Sequence, residues 1–96
     1  MKQEEKLLKI INHYGVMPQL KYFQSEVFEL NEAIINADNE YNMLKDIGHI
    51  AEEIADVEVM LMQFKEYYHI DGNDILKIMD KKINRQLIRI ERKYEK

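Results

Sequence analysis

The sequence predicts an all-α fold: a four-helix-bundle-like single domain over residues 1–96, and three observations carry that prediction. Three Gly and one Pro among 96 residues supply too few turns for a sheet of many short strands. Apolar residues at 46% and charged residues at 33% give the balance of a chain that folds around a core. Apolar side chains recur at steps of three and four over long stretches, the period of a helix with one buried face. A chain this short buries only about 60–65% of its unfolded surface, so homo-oligomerisation is the expected way to extend its core.

The first helix is expected from about Gln3 to Tyr14, with Leu7, Ile10, Ile11 and Tyr14 on its apolar face and Gly15 closing it. Pro18 suits the first turn of a second helix. That helix carries Leu20, Phe23, Val27, Leu30 and Ile34 and is expected to end near Ala37, ahead of a polar loop at Asp38-Asn39-Glu40. The third shows the longest apolar stripe: Ile47, Ile50, Ile54, Val57, Leu61, Phe64 and Tyr68, halted by Asp71-Gly72-Asn73. The fourth is expected to start at Asn73 or Asp74, with Asp71 and Asp74 as N-terminal caps and Leu76, Met79, Ile83, Leu87, Ile90 and Tyr94 on its buried face. No repeat, linker or low-complexity stretch interrupts this pattern.

Composition removes several chemistries. With no Cys, disulfide frameworks, thiolate zinc sites, iron–sulfur clusters and cysteine nucleophiles are excluded. No apolar run reaches the roughly 18 residues of a membrane span, and the charged start Met1-Lys2-Gln3-Glu4-Glu5 does not read as a signal or transit peptide. A cytoplasmic location without membrane association is expected. The formal net charge of −4 divides unevenly: residues 1–76 carry −9 and residues 77–96 carry +5. An acidic body argues against stable nucleic-acid binding. An acidic centre with a basic last helix is compatible with metal binding beside phosphate binding.

Two acidic pairs stand out by position. Glu26 and Glu29 lie three apart in the middle of the second helix, and Glu53 and Asp56 three apart in the middle of the third. Residues at i and i+3 share a helix face, and each pair flanks an apolar stripe, which places both pairs near the packing seam. Four carboxylates at such a seam repel one another unless a cation neutralises them. An all-oxygen ligand set suits Mg²⁺, with Mn²⁺ as the alternative. The same spacing also arises by chance in a chain with 18 acidic residues, in which case the four are solvated surface acids.

The segments Gln24-Ser25-Glu26-Val27-Phe28-Glu29-Leu30 and Glu52-Glu53-Ile54-Ala55-Asp56-Val57 resemble the E-x-x-E … E-x-x-D signature of MazG-like nucleotide pyrophosphohydrolases, members of the all-α NTP pyrophosphatase superfamily. Twenty-three residues separate Glu29 from Glu53, and the similarity spans about Gly15 to Arg89. The resemblance implies Mg²⁺-dependent hydrolysis of a nucleoside triphosphate between the α and β phosphates, giving the monophosphate and pyrophosphate. It implies Glu26, Glu29, Glu53 and Asp56 as metal ligands, with Glu29 the favoured acceptor of the water's proton. It also implies a homodimer or homotetramer, because the family pairs bundles to complete its substrate pocket.

The last helix carries Lys82, Arg85, Arg89, Arg92 and Lys96 at steps of 3, 4, 3 and 4. Arg92, Lys93 and Lys96 are explained by the helix dipole, which favours cations at a C-terminus. Lys82 and Arg85 lie earlier and are the expected phosphate-binding residues, with Lys81, Asn84 and Arg89 as alternates. The resembled family carries Lys, Asn and Arg early in its last helix, and the spacing here departs from that pattern.

Other residues carry weaker signals. Glu66 and His69 form a single E-x-x-H, where a di-iron bundle needs two. His13 and His49 read as surface or packing residues, Met60, Met62 and Met79 as core fillers, and Tyr22 and Phe23 as packing aromatics ahead of base-stacking ones. Two rivals remain at the level of sequence: a phosphoribosyl-ATP pyrophosphohydrolase-like enzyme, and a non-catalytic helical interaction protein.

Overall fold

In a computed structural model, the described residues are 1–39 and 43–94, and they form four α-helices with no strand among them. These are α1 (Gln3–Tyr14), α2 (Val16–Asn39), α3 (Met43–Tyr67) and α4 (Gly72–Tyr94). Glu40 of the expected loop and Lys96 of the basic stripe lie outside the described residues, as do the side chains of Lys93 and Tyr94.

A single residue joins α1 to α2. Gly15 adopts φ 92°, a left-handed backbone that side chains disfavour. From there its N–H donates to Ile11 O at 2.8 Å, closing α1, and its carbonyl accepts from Gln19 N at 3.1 Å, opening α2. Pro18 occupies the third position of α2, where its missing N–H leaves no intrahelical bond unmade. The second helix runs two residues past the expected end, taking in Asp38 and Asn39, because nothing in that polar pair forbids helical backbone.

The end of α3 is a Schellman motif. Ile70 N donates to Lys65 O and His69 N to Glu66 O, with His69 at φ 56° in the position that glycine usually fills. This takes His69 out of the helix and removes the single E-x-x-H as a helical unit. Asp71 then caps α4: its Oδ1 accepts from Asn73 N at 2.9 Å, and its carbonyl from Asp74 N and Ile75 N. The helix accordingly begins at Gly72, one or two residues earlier than expected.

The pairing of Gln19 with Gln63, and of Glu26 with Asp56 and Glu53, makes α2 and α3 antiparallel. Ala33 and Ala37 are buried further along α2. Across it, α1 seals one face with Leu7 and the fully enclosed Ile11. The seam contains polar side chains as well: Gln19, Glu26 and Gln63 are buried, whereas Leu20, Ile34, Ile47, Ile54 and Leu61 from the expected stripes are exposed. The expected packing face of α3 is thus rotated: the face through Glu53, Met60 and Gln63 turns inward, Ile50, Val57 and Phe64 are half-buried beside it, and Ile47, Ile54 and Leu61 are left outside.

The fourth helix departs from this body. Beyond its first turn it makes no extended packing with α1, α2 or α3, and Ile75 is its one half-buried residue among those described. The expected buried face of α4 is therefore exposed: Leu76, Met79, Ile83, Leu87 and Ile90 all face solvent, Ile83 at 56%. The molecule measures 53 × 36 × 24 Å with a radius of gyration of 17.2 Å, against about 13 Å for a compact domain of this length. Its accessible surface of 8281 Å² exceeds by roughly 2,400 Å² the area that size scaling gives a compact monomer.

Candidate functional site

The α2–α3 pairing determines which carboxylates meet. Glu26 from α2 and Glu53 and Asp56 from α3 bring one oxygen each to within 4.8 Å of one another. Glu26 is only 4% exposed, and the Glu53 side chain 12%. Glu26 Oε2 and Glu53 Oε2 are buried without a hydrogen-bond partner, a costly arrangement for ionised groups. Asp56 is the exposed member of the cluster.

The local electrostatics match that crowding. Burial, then the charge of Glu29, raises the Glu53 carboxyl above its ordinary value; Asp56 and Glu26 add to the rise and His49 opposes it. His49 Nε2 lies 3.9 Å from Glu53 Oε1, one turn earlier on α3. Glu29 falls outside the tight group of three, on the exposed side of α2, yet close enough for its charge to act on Glu53. The Tyr22 phenol is held above its ordinary value by the neighbouring Glu26 carboxylate, which favours the protonated form. A third orphaned oxygen, Asp46 Oδ2, lies two turns before Glu53 along α3.

A cavity of about 590 Å³ opens beside the cluster. Glu26 and Asp56 form one wall, Gln19, Gln63 and Tyr22 its other polar groups, and Ile10, Tyr14, Pro18 and Val59 are among its apolar lining. Its size falls in the range of small-molecule sites. The exposed members of the α1 stripe, Ile10 and Tyr14, thus line a cavity instead of filling a core. Tyr22 likewise belongs to the site and not to packing, while Phe23 packs edge-on against Phe64 with ring centroids 5.7 Å apart.

The predicted phosphate-binding residues stand elsewhere. Lys82 and Arg85 are exposed on α4, where with Ile83, Gln86 and Arg89 they line a shallow groove of about 410 Å³. No α4 residue lines the acidic cavity. Of the alternates, Asn84 Nδ2 donates to Asp80 Oδ2 at 3.5 Å. Within one chain, then, the structure brings Glu26, Glu53 and Asp56 together, keeps Glu29 nearby, and leaves Lys82 and Arg85 on a separate helix.

Sequence reasoning missed Gln19, Gln63 and Asp46. A polar residue within an apolar period reads as a solvated position, and only the side-by-side placement of α2 and α3 reveals that the two glutamines pair. Chemically, orphaned carboxylate oxygens at crowded, partly buried positions fit a hard divalent cation, whose charge would relieve the repulsion and whose coordination would satisfy Glu26 Oε2 and Glu53 Oε2. No helix of the described residues is long and apolar enough to cross a membrane. Comparison with family models, with curated proteins and with solved structures gives no significant match.

Proposed function

We propose that this chain is a Mg²⁺-dependent nucleoside triphosphate pyrophosphohydrolase, cleaving between the α and β phosphates. The observation that carries the reading is the convergence of Glu26, Glu53 and Asp56, two of them with buried unpaired oxygens, beside a cavity sized for a small molecule. Glu26, Glu53, Asp56 and Glu29 hold the metal in this reading, with Mn²⁺ as a substitute. The bound metal supplies charge neutralisation on the phosphates and a water of lowered pKa for in-line attack. Glu29, exposed and outside the tight trio, is the carboxylate best placed to take the water's proton. Tyr22 lines the same cavity as Glu26 and keeps its proton beside that carboxylate.

Lys82 and Arg85 bind the substrate phosphates from a second copy of the chain. Three observations support a homo-oligomer: the extended shape, the surplus surface, and the bare apolar stripe on α4. The surplus of roughly 2,400 Å² per chain, about 4,800 Å² for a pair, falls within the range of obligate interfaces. The +5 of residues 77–96 complements the −9 of residues 1–76 across such an interface.

Pyrophosphate release from ribo- and deoxyribonucleoside triphosphates, with Mg²⁺ and with EDTA, tests the reading. Metal-dependent release is expected. Absence of release from every triphosphate, together with turnover of phosphoribosyl-ATP, would transfer the same site to the second enzymatic reading. No turnover and no Mg²⁺-dependent stabilisation would leave a helical interaction protein.

A further inference from the structure

The interior of the cavity carries a hydrogen-bond pattern that the metal chemistry does not use. Gln19 Nε2 donates to Gln63 Oε1 at 2.8 Å, and Gln63 Nε2 donates to Met60 Sδ at 3.7 Å. Both amides are well buried, at 7% and 3% exposure. A thioether sulfur accepts hydrogen bonds and cannot donate them. Met60 therefore turns the amino end of Gln63 toward itself and the oxygen end toward Gln19. That commits an N–H of Gln19, and among the described residues no protein donor reaches Gln19 Oε1. The second N–H of each amide is also unclaimed. The unclaimed capacity faces the open cavity and not a sealed core, since neither amide has an atom buried without a partner, so a ligand entering the cavity meets it.

We propose that Gln19 and Gln63 are the specificity-determining pair of this cavity and that they read a planar nitrogen heterocycle, the base of a nucleotide, which donates to Gln19 Oε1 and accepts from a free amide N–H. The inference rests on the pyrophosphohydrolase reading for where the phosphates lie. The shape of the cavity agrees with it. Ile10, Tyr14, Pro18 and Val59 offer apolar surfaces to a flat ring, and Glu26 and Asp56 lie in the same cavity at the acidic cluster. A ligand satisfying both ends is apolar-faced and polar-edged at one end and anionic at the other, joined to the carboxylates through a divalent cation. A base-free polyphosphate would leave the amides unmatched, and an acyl chain would desolvate them without a partner. Met60 fixes the donor–acceptor order and so sets which base edges fit.

The experiment compares kcat/KM for the four ribonucleoside triphosphates with that for inorganic tripolyphosphate, in wild type, in the double variant Gln19→Met/Gln63→Met, and in Met60→Leu. The double variant removes both partners at once, so no lone amide is stranded. Wild type should prefer at least one nucleotide over tripolyphosphate by on the order of 100-fold, and that preference should collapse in the double variant. Met60→Leu keeps the volume and releases the amide order, so it should fold and should flatten discrimination among bases several-fold. Equal rates on all nucleotides and tripolyphosphate in wild type, a preference retained in the double variant, or unchanged discrimination in Met60→Leu would overturn the proposal while leaving the hydrolase reading intact. Absence of turnover on every compound defeats the hydrolase reading instead. Calorimetric binding of nucleoside 5′-monophosphates against ribose 5-phosphate, with Mg²⁺, then decides the base reading separately. Binding of a nucleotide but not of ribose 5-phosphate, lost in the double variant, sustains it. Equal binding of both, or none of either, overturns it.

Discussion

The body of α1–α3 and the projecting α4 are built from similar apolar patterns and meet opposite fates. In the body, helices cover one another, and the most enclosed positions include Gln19, Glu26 and Gln63 beside Leu7, Ile11 and Met60. On α4 the apolar stripe is at least as regular, yet Leu76, Met79, Ile83, Leu87 and Ile90 all remain exposed. Periodicity tells which face of a helix seeks cover, and says nothing of which chain supplies it. If the proposed function holds, the body carries polar groups inside because its site uses them. The arm carries apolar groups outside because, in the reading offered here, a second copy covers them.

Breaking that contrast should be easiest on the arm. Ile83→Asp combined with Leu87→Asp places two charges in the proposed interface, and the expected outcome is conversion of the oligomer to monomer with loss of turnover, read by light scattering after gel filtration and by pyrophosphate release. An unchanged mass would show that α4 is not the interface. In the body, Ile11→Ala opens a cavity at a fully enclosed position and should cost about 2–5 kcal/mol in denaturant unfolding. A shift below about 1 kcal/mol would indicate that α1 is not part of the folded core.

A subtler test mixes the two regions. Arg85→Ala should raise KM about 10- to 100-fold, the worth of one charge-assisted hydrogen bond to phosphate. At substrate well below the raised KM, mixing Arg85→Ala chains with Glu53→Gln chains should give activity above the sum of the two alone, since each heterodimer then holds one intact composite site. No recovery after mixing and reassociation would place the cations and the carboxylates on the same chain or make the arm irrelevant to catalysis.

The smallest effect is electrostatic. Burial and the neighbouring charge of Glu29 raise the folded-state carboxyl of Glu53 above its ordinary 4.5. Its proton is therefore held more tightly in the folded than in the unfolded chain. That contribution is fully present below the unfolded value and is lost as pH rises through the raised one. Melting temperature in EDTA should accordingly decline over that window, and Mg²⁺ should restore it above the window but not below. A melting temperature equally insensitive to Mg²⁺ at both ends would argue for solvated, unligated acids. Glu53→Gln should flatten the pH dependence and raise metal-free stability at neutral pH, because it removes one of the crowded anions.

Much of the fold was legible in the chain because its causes are local. Gly15 before Pro18, the Asp71-Gly72-Asn73 turn and the step of three and four locate all four helices, although α3 starts at Met43, four residues ahead of the first residue of its stripe, Ile47. The carboxylate pairs were legible for the same reason, since i and i+3 fix a shared face. Four features were not. The rotation of α3 that turns Glu53 inward and Ile54 outward depends on how α2 and α3 pack, which no single-helix period encodes. The Gln19–Gln63 bond joins residues 44 apart. His69 occupies a left-handed position for which sequence rules expect glycine. Glu29 was grouped with the other three by spacing, and its place at the edge of the cluster appears only when side chains are placed in space.

The central claim is that crowded, partly orphaned carboxylates form a metal-dependent phosphate-cleaving centre. The most direct test is pyrophosphate release from a panel of nucleoside triphosphates by wild type, Glu53→Gln and Asp56→Asn, each with Mg²⁺ and with EDTA. Release by the wild type that requires the metal and disappears in both variants is the predicted result. Release that survives in EDTA or in either variant, or none from any triphosphate by the folded wild-type protein, would contradict it.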